Sequence, residues 1–412
     1  MEFTELNILF KNTVIHLIIN NLNFFTMAQE EKKRVLILSA GSQNRLVKEF
    51  ADRDFEADVM APDAFYCYLS DKIGYDRLYL KGNEADGKNK RIAAKTYAAI
   101  IPRISGGDFE YGQTVVKHVS ENLGIFSTAS EFGLGICSNK FETCQFLSRH
   151  RIRVPKQILA HNLTDFKEAI EAVGGFPFVL KLQKGSQGAG VFLVRDETEA
   201  SQTLRALKYT KMDLVLSQKL DSGEPANDLR VWVIGGMAED PKLFAYKRYA
   251  LADDFRSNYS LSGSGEKATL TDEEKEMAIK SARALRMNIA GVDIMRNQPE
   301  KGKPYVIEVN GNPGLKGIEA VTGKNIAGEV AQFVIDNYQK GNKWNLNYSK
   351  SFTETEISMI EWMVKTSQEA IKGTKISDPA FPENYRRVNF HLGNIQNLIS
   401  HLKAENSQFK IK

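Results

Sequence analysis

Cysteine is scarce: three residues in 412, Cys67, Cys137 and Cys144, with neither a C-x-x-C pair nor a zinc-finger spacing. That excludes a disulfide framework and reads as reduced thiols, buried as small hydrophobes, in a cytoplasmic protein. There is no long apolar run. The most hydrophobic stretch, residues 13–25, contains a histidine and three asparagines, and a membrane span needs about 20 apolar residues. It also lacks a basic flank and a small-residue cleavage site, so it does not read as a signal peptide. No charge sign dominates: the formal net charge is +4. This is too weak for a nucleic-acid binder and compatible with an anionic small substrate or an acidic protein tail. The G-x-x-x-x-G-K-[ST] phosphate loop is missing, as are internal repeats and low-complexity segments.

What is present is a chain too long for one core. Residues 1–33 read as an extension, with the functional protein beginning near Met27. An amphipathic partner helix is the alternative for that stretch. From RVLIL at residues 34–38, apolar strands and helices alternate to about residue 130, the pattern of a small α/β domain. Strands are expected at 57–60 and 97–104, and helices at 43–52 and 111–123. A helix over 139–150 leads into an antiparallel α+β region, 131–340, with strands at 178–182, 191–194, 214–217, 229–234, 243–249, 292–296 and 305–310. Helices are expected at 165–173 and 198–207, and Thr271 with Glu274 forms a capping box ahead of a further one. Residues 345–412 read as a helical hairpin of unknown role. The fold class is therefore α/β and α+β multidomain.

Three segments carry chemistry. KLQKGSQGAG, residues 181–190, lies between two strands. Its glycines, with Ser186 and Gln187, let backbone N–H groups approach phosphate oxygens. Lys181 sits inside the preceding strand, which is costly without an anion. A plain hairpin loop is the alternative. Asp293 lies in GVDIM, and Glu308 and Asn310 in VIEVNGNPG. If these strands pair through 297–303, the acids face one cavity and form a hard oxygen set suited to magnesium or manganese. Strict alternation places Val306, Glu308 and Asn310 on one face, with Ile307 and Val309 on the other. Between these segments lie DLRVWV (228–233), Lys247, Arg248 and DFRSN (254–258). An arginine such as Arg256 can clamp a phosphoryl group or an oxyanion.

The order Lys181, GSQGAG, Asp228, DFRSN, GVDI and IEVNGNPG, with PRISGG earlier and GLKGIEAVTGKNIAG later, resembles the ATP-grasp superfamily. Within it the chain is similar to the RimK-type α-L-glutamate ligases, over residues 34–337. The resemblance implies a pre-ATP-grasp α/β domain (34–130), an ATP-grasp domain with a glycine-loop lobe (140–220) and a metal lobe (221–340), and a C-terminal helical extension. It implies ATP contacts from Lys140, Lys181, Gly185, Ser186, Gln187, Gly188, Gln218, Lys219, Asp228, Arg256, Ser257 and Asn258. Asp293, Glu308 and Asn310 would hold Mg2+ or Mn2+, two ions in all. Arg256 and Arg248 would serve the acyl phosphate and oxyanion. The usual Glu-Tyr of the adenine hinge is Gln218-Lys219 here, so only backbone contacts to adenine carry over. The implied reaction is ATP-dependent amide formation through an acyl phosphate. Glutamate would be the amine donor, and the acceptor a protein C-terminus (that of a ribosomal protein), a small cofactor or an amino-group carrier protein. Arg103 would read an acceptor carboxylate; a strand-end surface arginine is the alternative. A homo-oligomer without membrane attachment is expected. The rival classes are a non-catalytic nucleotide-binding regulatory module and an interaction protein acting through the tail.

Overall fold

A computed structural model describes residues 34–70, 76–81, 90–92, 96–161, 166–183, 190–208, 213–251 and 265–342. The expected extension 1–33 and helical tail 345–412 lie outside the described residues.

The chain opens with β1 (Arg34–Leu38), α1 (Asn44–Ala51) and β2 (Glu56–Met60). Next come β3 (Phe65–Tyr68), β4 (Arg77–Leu80), β5 (Lys90–Ile92), β6 (Ala99–Pro102), α2 (Phe109–Lys117) and β7 (Phe126–Ser127). Strands β2-β1-β6-β7 form a parallel sheet. A parallel sheet is covered on both faces, so β1 is apolar throughout after Arg34. Leu36 and Leu38 enter one core cluster and Val35 and Ile37 another. Strands β3, β4 and β5 form a small antiparallel sheet that the sequence reading lacks.

Two helices follow, α3 (Glu131–Ser138) and α4 (Lys140–Arg149). Then come β8 (Gln157–Ala160), α5 (Lys167–Ala172), β9 (Phe178–Leu182), β10 (Val191–Val194), α6 (Glu197–Lys208) and β11 (Leu214–Gln218). The antiparallel order is β10-β9-β11-β8. Phe178, Leu180, Leu214 and Leu216 pack with Ile170, Ala200 and Leu204 of α5 and α6. By alternation Lys181 is on the opposite face, as expected.

The last part comprises β12 (Asn227–Ile234), β13 (Lys242–Tyr249), β14 (Gly265–Lys267), α7 (Asp272–Ala284), β15 (Ile289–Asn297), β16 (Lys303–Asn310), α8 (Leu315–Thr322) and α9 (Ile326–Asn337). Its sheet runs β14-β13-β12-β15-β16, antiparallel throughout. Thr271 and Glu274 make the expected capping box on α7. One face carries Leu229, Val231, Val233, Ala290, Val292 and Ile294 into the core shared with the first sheet. The other carries Trp232, Ile234 and Ile289 into the second cluster at one end. At its other end lie Asp228, Arg230, Arg248 and Asp293, an ionic row on an otherwise apolar sheet.

The alternation expected for β16 is corrected. Val306 and Val309, three residues apart, are both fully buried in the same core cluster. The ladder shifts register there: Asp293 pairs with Glu308, whereas Ile294 pairs with Val306. Ile307 is the extra residue of a β-bulge, which inserts one position and resets the facing of everything beyond it. Glu308 and Asn310 therefore face away from both valines.

Glu49 joins the first sheet's helix to the last two helices. It accepts from Arg45, and from Arg53 Nη1 at 2.7 Å; Arg45 also reaches Glu319 at 3.2 Å and Asn325 at 2.6 Å. Burial alone would raise its pKa, but the hydrogen bonds from Arg45, Asn325 and Arg53 hold it at about 2, against an ordinary 4.5. A depressed folded value means that this stabilisation is complete above pH 4.5 and is lost as pH falls towards 2. Glu49→Gln is expected to flatten the acid limb of stability in that window, measured by urea unfolding at stepped pH; an unchanged limb would contradict it.

Candidate active site

The ionic row is built by strand register. Asp228 of β12 lies opposite Arg248 of β13, and Arg230 opposite Asp293 of β15. Arg248 donates to both Asp228 oxygens, Nε to Oδ1 at 2.7 Å and Nη2 to Oδ2 at 2.5 Å. Its Nη2 also reaches Asp293 Oδ2 at 2.8 Å. Arg230 spans the Asp293 carboxylate, with Nε on Oδ1 and Nη2 on Oδ2 at 2.9 Å. Asp293, Asp228 and Arg248 are 3%, 4% and 5% exposed. Gly291, two residues before Asp293, leaves room for this arrangement. A Cβ there would lie 2.9 Å from Pro313 Cβ and 3.2 Å from Arg230 Cδ.

Burial pushes Asp293 upward, but the charges of Arg230 and Arg248 outweigh it and hold the carboxyl below its ordinary range. Arg248, flanked by two acids, stays well above its ordinary value despite burial. Asp228 shares that one arginine with Asp293. Burial, with the neighbouring Asp293 charge, therefore leaves it above its ordinary value.

Across the β15–β16 ladder Asp293 pairs with Glu308, and Gly291 with Asn310. The two acids and the amide thus share one face. Glu308 is exposed and Asn310 half-buried. Asn310 Oδ1 accepts from the Asn312 N–H at 2.8 Å, fixing the loop that leaves the strand. Among the described residues no group of three His, Cys, Asp or Glu side chains is placed to hold a metal ion; the expected set has two carboxylates and an amide. Its chemistry fits a hard cation: all donors are oxygens, and Asp293 is kept ionised.

Lys140 opens α4 behind the N-cap Asn139, whose side chain accepts from Glu142 N–H at 2.9 Å. Its Nζ donates to the Leu182 carbonyl at 3.3 Å, and the Phe141 N–H donates to Gln183 Oε1 at 3.3 Å. The start of α4 is thereby tied to the end of β9, which carries Lys181. Burial lowers the Lys140 pKa and the Lys181 charge lowers it further, while Glu308 raises it. The three charges lie within each other's field. Cys137 feels Glu308 too: burial, with that carboxylate, pushes its thiol to about 12. It is no nucleophile at neutral pH.

Gln218 closes β11 and Lys219 follows it. Gln218 Oε1 accepts from Lys156 N–H at 3.3 Å, and Lys219 Nζ donates to the Leu220 carbonyl at 2.9 Å. Arg103 lies at the end of β6, donating to the Pro313 carbonyl at 2.8 Å and Gln43 Oε1 at 3.3 Å. Both partners are neutral, and burial brings its pKa down to about 10. Gly185, Ser186, Gln187, Gly188, Arg256, Ser257 and Asn258 lie outside the described residues. The sequence reading missed Arg230. Its signal was present in DLRVWV, where a second charge alternates with Asp228 along an apolar strand.

The RimK-like ATP-grasp domain family matches residues 137–334. A probable alpha-L-glutamate ligase from a Shewanella species is 32% identical over 314 residues, 75% of this chain and 98% of that protein. One from Vibrio cholerae is 33% identical over 296 residues, 72% of this chain and 92% of that protein. Among solved structures, the ATP-grasp ligase PsnB complexed with minimal precursor, Mg and ADP superposes with a TM-score of 0.56. It is 16% identical, covering 75% of this chain and 99% of that one. The macrocyclase MdnC of Microcystis aeruginosa, bound with precursor peptide MdnA, gives 0.54 at 13% identity, covering 74% and 100%. Among the described residues no helix is long and apolar enough to cross a membrane. With relatives at this identity and coverage, and an ionic row on the strands that the motifs pointed to, the chain belongs to the RimK-type family of ATP-grasp carboxylate–amine ligases.

Proposed function

We propose that this ligase joins the amine of L-glutamate to an acceptor carboxylate that ATP has converted to an acyl phosphate. The observation that carries the proposal is the in-register pair Asp293–Glu308 with Asn310 on the same face, close enough to Lys140 for Glu308 to act on it. Anionic oxygens beside lysines suit a nucleotide whose phosphates need both a metal and direct cations.

Asp293, Glu308 and Asn310 are assigned to Mg2+ or Mn2+, with two ions if Glu308 bridges. A bound divalent ion would supply charge neutralisation at the phosphates. Lys140 and Lys181 bind phosphate oxygens, with the backbone of Gly185, Ser186, Gln187 and Gly188. Gln218 and Lys219 contribute main-chain contacts to the adenine, and Asp228 holds Arg248 in position. Arg256, with Ser257 and Asn258, holds the nucleotide and the oxyanion of the tetrahedral intermediate. Arg248 steadies the acyl phosphate. The acceptor carboxylate oxygen attacks the γ-phosphorus, ADP leaves, the glutamate amine attacks the acyl carbon, and phosphate departs. Catalysis is mainly positioning and charge stabilisation.

The glutamate donor is supported by the names of relatives at 32% and 33% identity. For the acceptor we favour a protein C-terminus in the cytoplasm, such as that of a ribosomal protein, over a small cofactor or a carrier protein. Arg103, a half-buried guanidinium bonded to neutral oxygens, is suited to a substrate carboxylate. Incubation of the full chain with ATP, Mg2+, cell extract and labelled glutamate is expected to label one acidic-tailed protein. Label in a small molecule would move the acceptor to a cofactor, and incorporation of another amino acid alone would overturn the glutamate assignment.

A further inference from the structure

Asp293 is the buried carboxylate of the site, and two arginines already occupy it. Arg230 spans both its oxygens and Arg248 shares Oδ2 at 2.8 Å. The two arginines differ in what else they hold. Arg248 keeps a two-pronged bond to Asp228, at 2.7 and 2.5 Å. Among the described residues, Arg230 has its carboxylate contacts on Asp293 alone. A divalent cation held by Asp293 and Glu308 would compete with both guanidiniums for the Asp293 carboxylate. A doubly charged cation and a guanidinium competing for one buried carboxylate repel strongly, because little water screens them. One arginine must yield, and the one without a second carboxylate is Arg230.

We infer that Arg230 is a place-holding cation: it keeps the Asp293 carboxylate aimed at Glu308 until a divalent ion arrives, then gives up that carboxylate and turns to an anionic phosphate oxygen. Its role is thus positional, exerted through Asp293, and the inference rests on the assignment of Asp293 and Glu308 as metal ligands. No bond is made or broken beyond exchange of an ion pair. Gly291 leaves space beside the Arg230 stem, since a Cβ there would lie 3.2 Å from Arg230 Cδ.

The test is Mn2+ binding to the full-length, nucleotide-free protein, followed by electron paramagnetic resonance. With the competing charge removed, Arg230→Met is expected to bind Mn2+ at least about tenfold tighter than the wild type. Arg230→Lys, which makes fewer contacts with Asp293, should fall between them, and Asp293→Asn should lose the ion. Equal or weaker binding in Arg230→Met, with binding lost in Asp293→Asn, would overturn the inference and leave the metal assignment standing. Absence of Mn2+ binding in the wild type would overturn both. If Arg230→Met does not fold, 15N-labelled arginine in the wild type decides. One buried Nε–H resonance should shift on addition of Mg2+ without nucleotide, and an unmoved spectrum overturns the exchange.

Discussion

Asp293→Ala is expected to abolish metal-dependent ADP formation and to cost about 3–5 kcal/mol of stability, the range for leaving buried charges without their partner. The two losses have separate origins. Activity falls because the buried member of the proposed metal set is gone. Stability falls because Arg230 and Arg248 converge on that carboxylate. Glu308→Ala separates them: Glu308 is exposed, so turnover should vanish while the unfolding midpoint in urea barely moves. ADP release by either variant at the wild-type rate would remove that residue from the metal set.

Arg248→Met should be comparably destabilising, again about 3–5 kcal/mol, with an unusual pH dependence. Arg248 is shared by Asp228 and Asp293, two acids almost fully buried on neighbouring strands. Asp228 already lies above its ordinary value because burial and the Asp293 charge outweigh its arginine. Without Arg248 it rises further. A folded pKa above the unfolded one means that the folded state binds the extra proton. Stability of the variant should therefore be greatest in acid and decline as pH rises from about 4 towards neutrality, which is the opposite slope to that of Glu49. Adding Asp228→Asn should recover much of the loss, since it removes the stranded charge. Urea unfolding of the single and double variants between pH 4 and 8 checks this. A single variant that gains stability with pH would contradict the assignment.

Legibility from sequence followed the strength of the local signal. Apolar runs such as β1 after Arg34 and β9 around Lys181, and the capping box at Thr271, were readable because burial and helix ends impose their own patterns. The sheet of β3, β4 and β5 was not, because its strands are three or four residues long and mix tyrosine, arginine and lysine. The helix at Glu131–Ser138 was missed for a different reason. EFGLGICS contains two glycines, which argue against a helix locally. Yet a Cβ on Gly133 would lie 2.0 Å from the Leu285 carbonyl, so tertiary packing demands the glycine that propensity disfavours. Within the site, Asp293, Glu308 and Asn310 were visible as polar residues in apolar strands. Arg230 was less legible, because an arginine in such a strand declares itself as a carboxylate's partner only once strand register sets it opposite Asp293.

The bulge at Ile307 makes one position of this strand tolerant of a change in length. On either side of it the ladder is regular, so loss of that single residue would leave Glu308 opposite Asp293 and Val306 opposite Ile294 with their facing unchanged. A one-residue gap anywhere else between Val306 and Asn310 would turn a valine towards the ionic face, or Glu308 or Asn310 into the core. Position 307 is where evolution can lengthen or shorten this strand at little cost to the chemistry.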